Sequence, residues 1–568
     1  MYHCRTRYRY FAILSILLIF LSCNTTDTKK DKVIVTDPIA MDIRIAENIH
    51  STLKFVINND GRMDDSTHID LVQTVNEFYS NREDQPVWSS TEKWKPIADS
   101  LFQYIEQAEL DGLFRNDYHY KNLHALRFKL DTDSVSRMDA LLWTKADLLM
   151  TDGFMHIIRD LKQGRLHPDS VTLNKDSVLT DDFFVQKLKE LIEKKRLTDL
   201  LISVQPIHTG YWELKRNIKA FVDSMDRKKY TYLKYPYNKG DFEDSVAFIQ
   251  RLKKRLFESN CFDTASILPD SVQLSRAIKK YQLKKGLIAD GKYGKIVIQT
   301  LNNNDSEKYK RIALTLDKYK QLPEKMPEKY IWVNLPGYYL YLMDKDTIVV
   351  DSKIICGKPE TRTPLLNSAI SDMVTYPTWT VPNSIIVKQY LPKLKNNANY
   401  ISKIGLKLMD NKGETIDPIT VNWSKYSRGI PYKVMQESGD NNSLGVIKFN
   451  FKNAYDVYLH DTNQRYLFKN TSRAFSHGCV RVQEWEKLAF FIANNDSVLS
   501  FKKDSVTYIA DSIKSWIVQK VRHRIDVKNR IPLFIRYFTC ESKNGQLKFY
   551  DDIYGEDKML LEKYFTKK

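Results

Sequence analysis

The hydrophobic pattern divides the chain into a helical first half and a strand-rich second half. From residue 43 to about residue 229, apolar residues recur three or four positions apart, as at Ile97, Leu101 and Ile105, which is the spacing of one helix face. From Tyr330 onward, the apolar residues form short runs separated by turn residues, which is typical of strands. The sequence therefore predicts an α+β multidomain protein.

A short segment between these halves has a pattern of its own. Leu274 and Ile278 lie on one helical face, Asp290-Gly291 marks a turn, and apolar residues then start again at helical spacing. An amphipathic helix from residue 306 to residue 320 follows. The segment therefore predicts a small helical module joined by one helix to the strand-rich region.

Two residues nineteen positions apart carry the clearest chemical signal, namely His460 and Cys479. A thiol attacks a carbonyl carbon well only as a thiolate, which forms when an imidazole takes its proton or when positive charges lie nearby. Gly478 permits a tight turn that aims amide N–H groups at a developing oxyanion, and His477 offers one more donor. Asp461 offers a carbonyl or carboxylate that would hold the His460 ring in one tautomer. The pattern predicts a cysteine nucleophile with a histidine base.

Other interpretations of these residues are weaker. A lone cysteine is most often a buried apolar residue, and a lone histidine is most often structural. A zinc site built from His460, His477 and Cys479 would lack a recognisable ligand set, and the single glycine between the last two would strain tetrahedral ligation. We therefore expect no metal and no cofactor.

The neighbouring residues carry a family resemblance. Residues 456–460 alternate like a strand, and residues 483–493 have helical spacing. The chain has His460, then a gap, and then the run Ser-His-Gly-Cys-hydrophobic-Arg. This order resembles the signature of the L,D-transpeptidases, the YkuD-type cysteine enzymes of peptidoglycan synthesis. The resemblance implies a catalytic group and a substrate-binding group. The catalytic group is Cys479, His460, His477 and Gly478, and the substrate-binding group is Arg481, Ser476, Asp461 and Tyr458.

The resemblance extends to most of the chain and implies a domain order. Segments such as 85–88 and 164–168 resemble the scaffold of the large YcbB-like transpeptidases, and residues 281–302 resemble a peptidoglycan-binding repeat, although a module that only packs against its neighbours remains an alternative. The expected divisions are a lipoprotein signal peptide 1–22, a tether 23–42, a helical scaffold 43–265, a peptidoglycan-binding-like module 266–305, a linker helix 306–327, a catalytic domain 328–502 with a cap inserted at about 383–439, and a C-terminal extension 503–568. The cap would cover the substrate groove or serve only as a packing subdomain.

The N-terminus and the charge indicate where the protein works. Basic residues and then a short apolar run up to Leu21 form a secretory signal, and its end resembles the lipobox of bacterial lipoproteins, which implies lipidation of Cys23. The formal net charge is +18, but the basic residues are scattered, so nucleic-acid binding is not indicated. We expect an exported, periplasmic protein that is anchored to the membrane by lipid.

These features predict acyl transfer at Cys479. The six cysteines form no evident disulfide framework, and chemistry surrounds only Cys479. By resemblance, Cys479 attacks a peptidoglycan stem peptide, forms a thioester and passes the acyl group to a neighbouring stem. Hydrolysis by the same cysteine, as in an L,D-carboxypeptidase, and a catalytically silent wall-binding lipoprotein are the alternatives. Arg481 would hold a substrate carboxylate or pin its own loop. The sequence names no protein partner.

Overall fold

The structure is a computed structural model that describes residues 32–174, 179–235, 245–262, 270–499 and 510–565. The predicted signal peptide and lipidated Cys23 lie outside these ranges. Within them, no helix combines the length and the apolar character needed to cross a membrane.

The N-terminal region is a helical domain arranged around one long central helix, α6. Its helices are α1 Pro38–Asn58, α2 Val72–Ser80, α3 Pro96–Glu106, α4 Tyr120–Thr132, α5 Ser134–Arg137, α6 Ala140–Lys162, α7 Asp181–Lys194, α8 Leu197–Ser203 and α9 Thr209–Ser224. Two short hairpins join them, β1 Arg62–Asp64 with β2 Thr67–His68, and β3 Ser89–Ser90 with β4 Lys93–Trp94. The Asp139 side chain caps α6 by accepting the Leu141 N–H. Apolar residues on both sides of α6 are buried, which fits a helix surrounded by others.

The scaffold begins before the predicted boundary at residue 43. Asp37 caps α1, which starts at Pro38, and the Val35 N–H donates to the Met138 carbonyl at 2.8 Å. The last residues of the predicted tether therefore pack on the scaffold, because they supply a capped helix start and a backbone pairing.

The small module and the helix after it follow in the chain. Their helices are α10 Ser245–Glu258, α11 Asp270–Lys284, α12 Lys295–Asn302 and α13 Asp305–Lys320. The first three share a core that includes Leu252, Ile278 and Ile298. Helix α13 packs against α9 in another cluster, and its Lys318 pairs with Asp557 at 2.8 Å. The predicted linker helix is therefore a buried contact between the scaffold and the C-terminal residues.

The C-terminal region contains the main sheet. Its strands are β5 Lys329–Asn334, β6 Tyr339–Asp344, β7 Thr347–Gly357, β8 Leu366–Thr375, β9 Trp379–Thr380, β10 Lys407–Met409, β11 Thr415–Ile416, β12 Lys433–Gln436, β13 Ile447–Phe451, β14 Leu459–His460, β15 Ala474–Ser476, β16 Val480–Val482, β17 His523–Asp526, β18 Pro532–Arg536, β19 Cys540–Lys543 and β20 Gln546–Phe549. Neighbouring strands of the main sheet pair in the order β13, β14, β16, β7, β6, β5, β18, β8. Strand β8 also pairs with β13. The sheet therefore closes into a barrel.

The barrel uses residues beyond the predicted catalytic boundary at 502. Strand β18 pairs with β5 on one side and with β8 on the other, so the residues predicted as an extension complete the closure. The remaining helices in this region are α14 Asn383–Ile385, α15 Leu391–Asn396, α16 Tyr400–Lys403, α17 Trp485–Leu499, α18 Ala510–Val518 and α19 Glu556–Tyr564.

The inserted segment forms its own subdomain. Strands β11, β10, β12 and β9 make a separate four-stranded sheet, and α14 to α16 surround a core that includes Trp423 and Leu394. A π-helical turn, Ile386–Tyr390, lies between α14 and α15. Because β9 belongs to this sheet, the subdomain starts at Trp379, slightly before the predicted residue 383.

Candidate active site

The strand pairing aligns three polar residues across the barrel. His460 on β14 lies opposite Lys448 on β13 and opposite Arg481 on β16. Their neighbours Leu459 and Val480 pair with each other and are buried in the barrel core. Because side chains alternate along a strand, Lys448, His460 and Arg481 form a row on the other face.

The register of this row is held by a local turn. The Asn453 side-chain amide donates to the Phe451 carbonyl at 3.0 Å and to the Val457 carbonyl at 2.8 Å. These bonds close the connection between β13 and β14. The turn therefore sets which residue of β13 faces His460.

Cys479 and Tyr458 occupy the next row. The Val480 N–H donates to the Tyr458 carbonyl at 3.1 Å, so Cys479 lies beside Tyr458. The rings of Tyr458 and His460 are 5.6 Å apart, and Lys448 Nζ is 3.9 Å from the Tyr458 ring centroid. With strands about 4.8 Å apart and a rise of about 3.3 Å per residue, the Cα atoms of His460 and Cys479 lie within about 8 Å of each other. The predicted nucleophile and base therefore share one surface.

A tight turn presents Cys479. The Ser476 hydroxyl donates to the Cys479 carbonyl at 2.5 Å and accepts the Gly478 N–H at 3.2 Å. Gly478 has φ of 124°, which is unfavourable for residues with a Cβ. The Thr363 hydroxyl donates to the Gly478 carbonyl at 2.8 Å. Ser476 and Thr363 thus fix the backbone from which the thiol projects.

The turn leaves one amide available to an oxyanion. The Gly478 N–H is already bonded to Ser476. The Cys479 N–H, in contrast, has no hydrogen-bond acceptor in the part of the chain that the structure describes. Of the two amides expected from the sequence, only that of Cys479 is therefore open to a substrate oxygen.

Burial disfavours the charged forms of both the thiol and the imidazole. Burial lowers the pKa of His460 to about 3, and the charge of Arg481 acts in the same direction. Burial also raises the pKa of Cys479, while hydrogen bonding by Tyr458 and the charges of Lys448 and Arg481 oppose that rise. This differs from a thiolate already formed by the imidazole, because a low-dielectric site disfavours both charged forms.

His460 is placed to accept a proton. Its Nδ1 is buried and has no hydrogen-bond partner among the described residues. The sequence predicts that Asp461 holds the ring through its carbonyl or its carboxylate. The carboxylate accepts the Val446 N–H at 3.1 Å and pairs with Arg465 at 2.7 Å, whereas hydrogen bonding by the Asp461 backbone raises the His460 pKa against the larger effect of burial. Both Asp461 carboxylate oxygens are thus engaged in the adjoining loop.

The Arg481 guanidinium is hydrogen-bonded through one nitrogen and, among the described residues, lacks a partner at another. Its Nη1 donates to Gln464 Oε1 at 3.0 Å and to Thr462 Oγ1 at 3.4 Å. Its Nε is buried and has no partner within the described ranges. The structure therefore combines features of both predicted roles.

The inserted subdomain reaches the site. Gln389, in the π-helical turn, contacts His477 through its side-chain amide, and a hydrogen bond from Trp379 lowers the pKa of Tyr458 against the larger effect of burial. Burial also lowers the pKa of His477, with Lys358 and Arg481 adding to that effect. The subdomain thus contacts two residues that lie beside Cys479.

Sequence reasoning missed Lys448, Gln389 and Trp379. In β13, Ile447 and Phe449 are buried and Lys448 alternates with them, so a face could have been assigned to Lys448 from the pattern. The residues that lie beside Lys448 across the sheet could not be predicted in this way, because they follow from the pairing with β14. Nothing in the local sequence places Gln389 beside His477.

The other described cysteines differ from Cys479. Cys261, Cys356 and Cys540 are unpaired and buried, whereas Cys479 is partly exposed. Burial raises the pKa of Cys356 to about 12. No group of three or more His, Cys, Asp or Glu side chains in the described ranges is arranged to hold a metal ion.

Comparison with known families identifies this region. The L,D-transpeptidase catalytic domain model, YkuD, matches residues 328–499. Residues 328–499 belong to the YkuD family of L,D-transpeptidases. A scaffold domain model also matches residues 73–218. The predicted family and the predicted α+β architecture are therefore confirmed.

A curated relative agrees with this assignment. A Haemophilus influenzae protein named "Putative L,D-transpeptidase" is 30% identical over 258 residues, which are 45% of this chain and 50% of that protein. The chain therefore spans about half of the relative's length.

Solved structures resemble the fold only weakly. An L,D-transpeptidase from Mycobacterium smegmatis has a TM-score of 0.18 at 10% identity over 37% of this chain and 58% of that one. The E. faecium L,D-transpeptidase catalytic domain acylated by ertapenem has a TM-score of 0.17 at 12% identity over 37% of this chain and 99% of that one. The family assignment rests on the matched domain and not on these scores.

Proposed function

We propose that the transpeptidase domain joins peptidoglycan stem peptides through a thioester on Cys479. The observation that carries the proposal is the shared surface of Cys479, Tyr458 and His460 inside the family domain. Because burial disfavours both charged forms, His460 takes the thiol proton as Cys479 attacks the peptide carbonyl. The imidazolium then exists only briefly, which fits its low pKa.

The first half-reaction releases an amino acid. The sulfur bonds to the carbonyl carbon, and the resulting oxyanion accepts a hydrogen bond from the Cys479 N–H. The C–N bond then breaks, and His460 gives its proton to the leaving amine of a terminal D-alanine. The products are a thioester and free D-alanine.

The second half-reaction forms the cross-link. A side-chain amine of a neighbouring stem attacks the thioester carbonyl while His460 accepts its proton. The C–S bond breaks, and the sulfur recovers a proton. One amide replaces another, so the reaction needs no cofactor. Water in place of the amine would give the carboxypeptidase alternative.

The remaining candidate residues divide into two roles. Ser476, Gly478 and Asp461 position the nucleophile and its loop, because their polar atoms are engaged within the protein. His477 and Arg481 face the site and contact the substrate in this proposal, together with Tyr458.

The wider biological role follows from the same proposal. The protein is exported, is anchored by lipid at Cys23 and acts in the periplasm on the cell wall. The family match supports export to the wall, whereas the anchor rests on the sequence resemblance. The small module would bind peptidoglycan or act as a spacer.

Product analysis tests the activity. Purified stem peptides incubated with the protein should give cross-linked dimers, and Cys479→Ala should give none. Trimmed monomers without dimers would support the carboxypeptidase. No product with the wild-type protein would support the silent wall-binding alternative.

A further inference from the structure

Two cations beside the nucleophile lack a carboxylate partner. Lys448 makes no ion pair or side-chain hydrogen bond with any residue that the structure describes. Arg481 donates only to neutral oxygens, those of Gln464 and Thr462. Charges taken out of water are normally paired with opposite charges. The pair therefore has unused capacity to bind an anion.

Among the described residues, three carboxylates lie near the two cations. Asp456 acts on the Lys448 charge without an ion pair to it, and the other two are engaged elsewhere. The Asp372 carboxylate accepts the Asn450 amide at 2.7 Å and lies 3.5 Å from Arg524 Nε. Asp461 pairs with Arg465. The charge on Lys448 and Arg481 is thus left for a ligand.

The position of the pair suits a particular ligand group. Lys448 and Arg481 flank His460 in one row, and Cys479 lies in the next row on the same face. Rows on one strand face are about 6.6 Å apart. In a peptide cleaved one residue from its end, the terminal carboxylate lies only about one residue, or about 3.8 Å, beyond the scissile carbonyl. A carbonyl held at Cys479 therefore brings that carboxylate near the pair.

We propose that Lys448 and Arg481 together bind the free terminal carboxylate of the amino acid that leaves when Cys479 is acylated. This inference rests on the proposed function, and it makes the domain selective for donors with a free C-terminus. Arg481 contributes its unpartnered Nε from β16. Lys448 contributes a flexible ammonium from β13, on the other side of His460. A competing explanation is that Lys448 serves only to stabilise the thiolate.

Matched donor peptides separate these explanations. The rate of thioester formation on Cys479 is measured as kcat/KM with one stem peptide, in which the terminal carboxylate is either free or amidated. The wild-type protein should prefer the free acid by about 10-fold to 100-fold, the range of a charge-assisted hydrogen bond. Lys448→Met should reduce that preference at least 10-fold, and Lys448→Arg should retain most of it. If Lys448→Met slows both peptides equally, the inference is overturned in favour of thiolate stabilisation.

Control variants keep the test decisive. Lys452→Met removes an exposed lysine just after the same strand and should keep the wild-type preference. Thermal unfolding checks the fold, and Lys448→Gln replaces Lys448→Met if the latter does not fold. A wild-type protein that forms the thioester without preferring the acid overturns only this inference. A wild-type protein that forms no thioester with either peptide overturns the proposed function as well.

Discussion

Two buried polar sites, Asp147 in the scaffold and His460 with Arg481 in the transpeptidase domain, differ in how completely their hydrogen bonds are made. In the scaffold, the Asp147 carboxylate accepts the Tyr79 hydroxyl at 2.5 Å and the N–H groups of Val87 and Trp88 at 3.0 and 2.9 Å. These bonds tie two neighbouring segments to the central helix. A fully bonded buried group of this kind specifies one arrangement of the chain.

Beside Cys479 in the transpeptidase domain, two buried polar atoms are left open. His460 Nδ1 and Arg481 Nε have no partner among the described residues, although both side chains lie in the site. An unsatisfied buried group costs stability, so its persistence is explained when a substrate completes the bonds. The comparison teaches that burial serves two purposes. The buried Asp147 carboxylate stabilises the fold because its hydrogen bonds are made within the protein, whereas buried His460 Nδ1 and Arg481 Nε are left for a substrate.

The largest expected effect comes from removing the open base. His460→Ala should slow acylation of Cys479 about 10²-fold to 10⁴-fold, because general-base catalysis is lost. Its thermal stability should fall by less than is usual for truncating a buried side chain, since the unpaired Nδ1 is removed with the ring. Stopped-flow acylation and thermal unfolding measure the two quantities. Acylation at the wild-type rate would show that another group takes the proton.

The pH dependence of the thiol sharpens the comparison. Because burial raises the pKa of Cys479, the thiolate fraction should grow about tenfold per pH unit, or about 100-fold from pH 6 to pH 8. The His460 pKa of about 3 adds no inflection in this range. Alkylation of Cys479 by iodoacetamide measures the profile, since the other cysteines that the structure describes are buried. A flat rate across neutral pH would indicate a preformed thiolate and imidazolium pair.

Removing the fully bonded carboxylate should act on stability alone. Asp147→Ala leaves the N–H groups of Val87 and Trp88 unpaired and takes one partner from the Tyr79 hydroxyl, so it should lower the free energy of unfolding by about 3 kcal/mol. Asp65→Ala removes an exposed carboxylate and should change it by less than about 0.5 kcal/mol. Urea unfolding compares the two variants. Equal stabilities of the two variants would contradict a stabilising role for Asp147. A loss of acylation in folded Asp147→Ala would contradict the claim that this carboxylate acts on stability alone.

The smallest effect is expected at the turn before the nucleophile. A Cβ on Gly478 would meet nothing closer than 3.6 Å, but its φ of 124° is strained for alanine. Gly478→Ala should therefore cost about 1 to 2 kcal/mol through backbone strain. Thermal unfolding together with the Cys479 alkylation rate will show whether the turn shifts. Unchanged values for both would mean that this backbone conformation is not required.

Local motifs and long-range pairing differ in what the sequence reveals. Cys479 and Gly478 were identified from the sequence because a nucleophile on a tight turn needs adjacent residues of fixed type. Lys448 was missed because its place opposite His460 depends on strand pairing closed by Asn453.

Barrel closure shows the same limit on a larger scale. Strand β18 lies about two hundred residues after β5 and still pairs with it, and no periodicity within either strand encodes that partnership. The sequence also did not predict the pKa shifts of Cys479 and His460, because those shifts depend on burial under residues that are distant in the chain.

Intact-protein mass spectrometry after mixing with a stem peptide that ends in D-alanine tests the central claim most directly. The account predicts one adduct whose added mass equals the peptide minus free D-alanine, absent in Cys479→Ala and formed slowly in His460→Ala. An adduct that persists in Cys479→Ala, or one that retains the terminal residue, would contradict it.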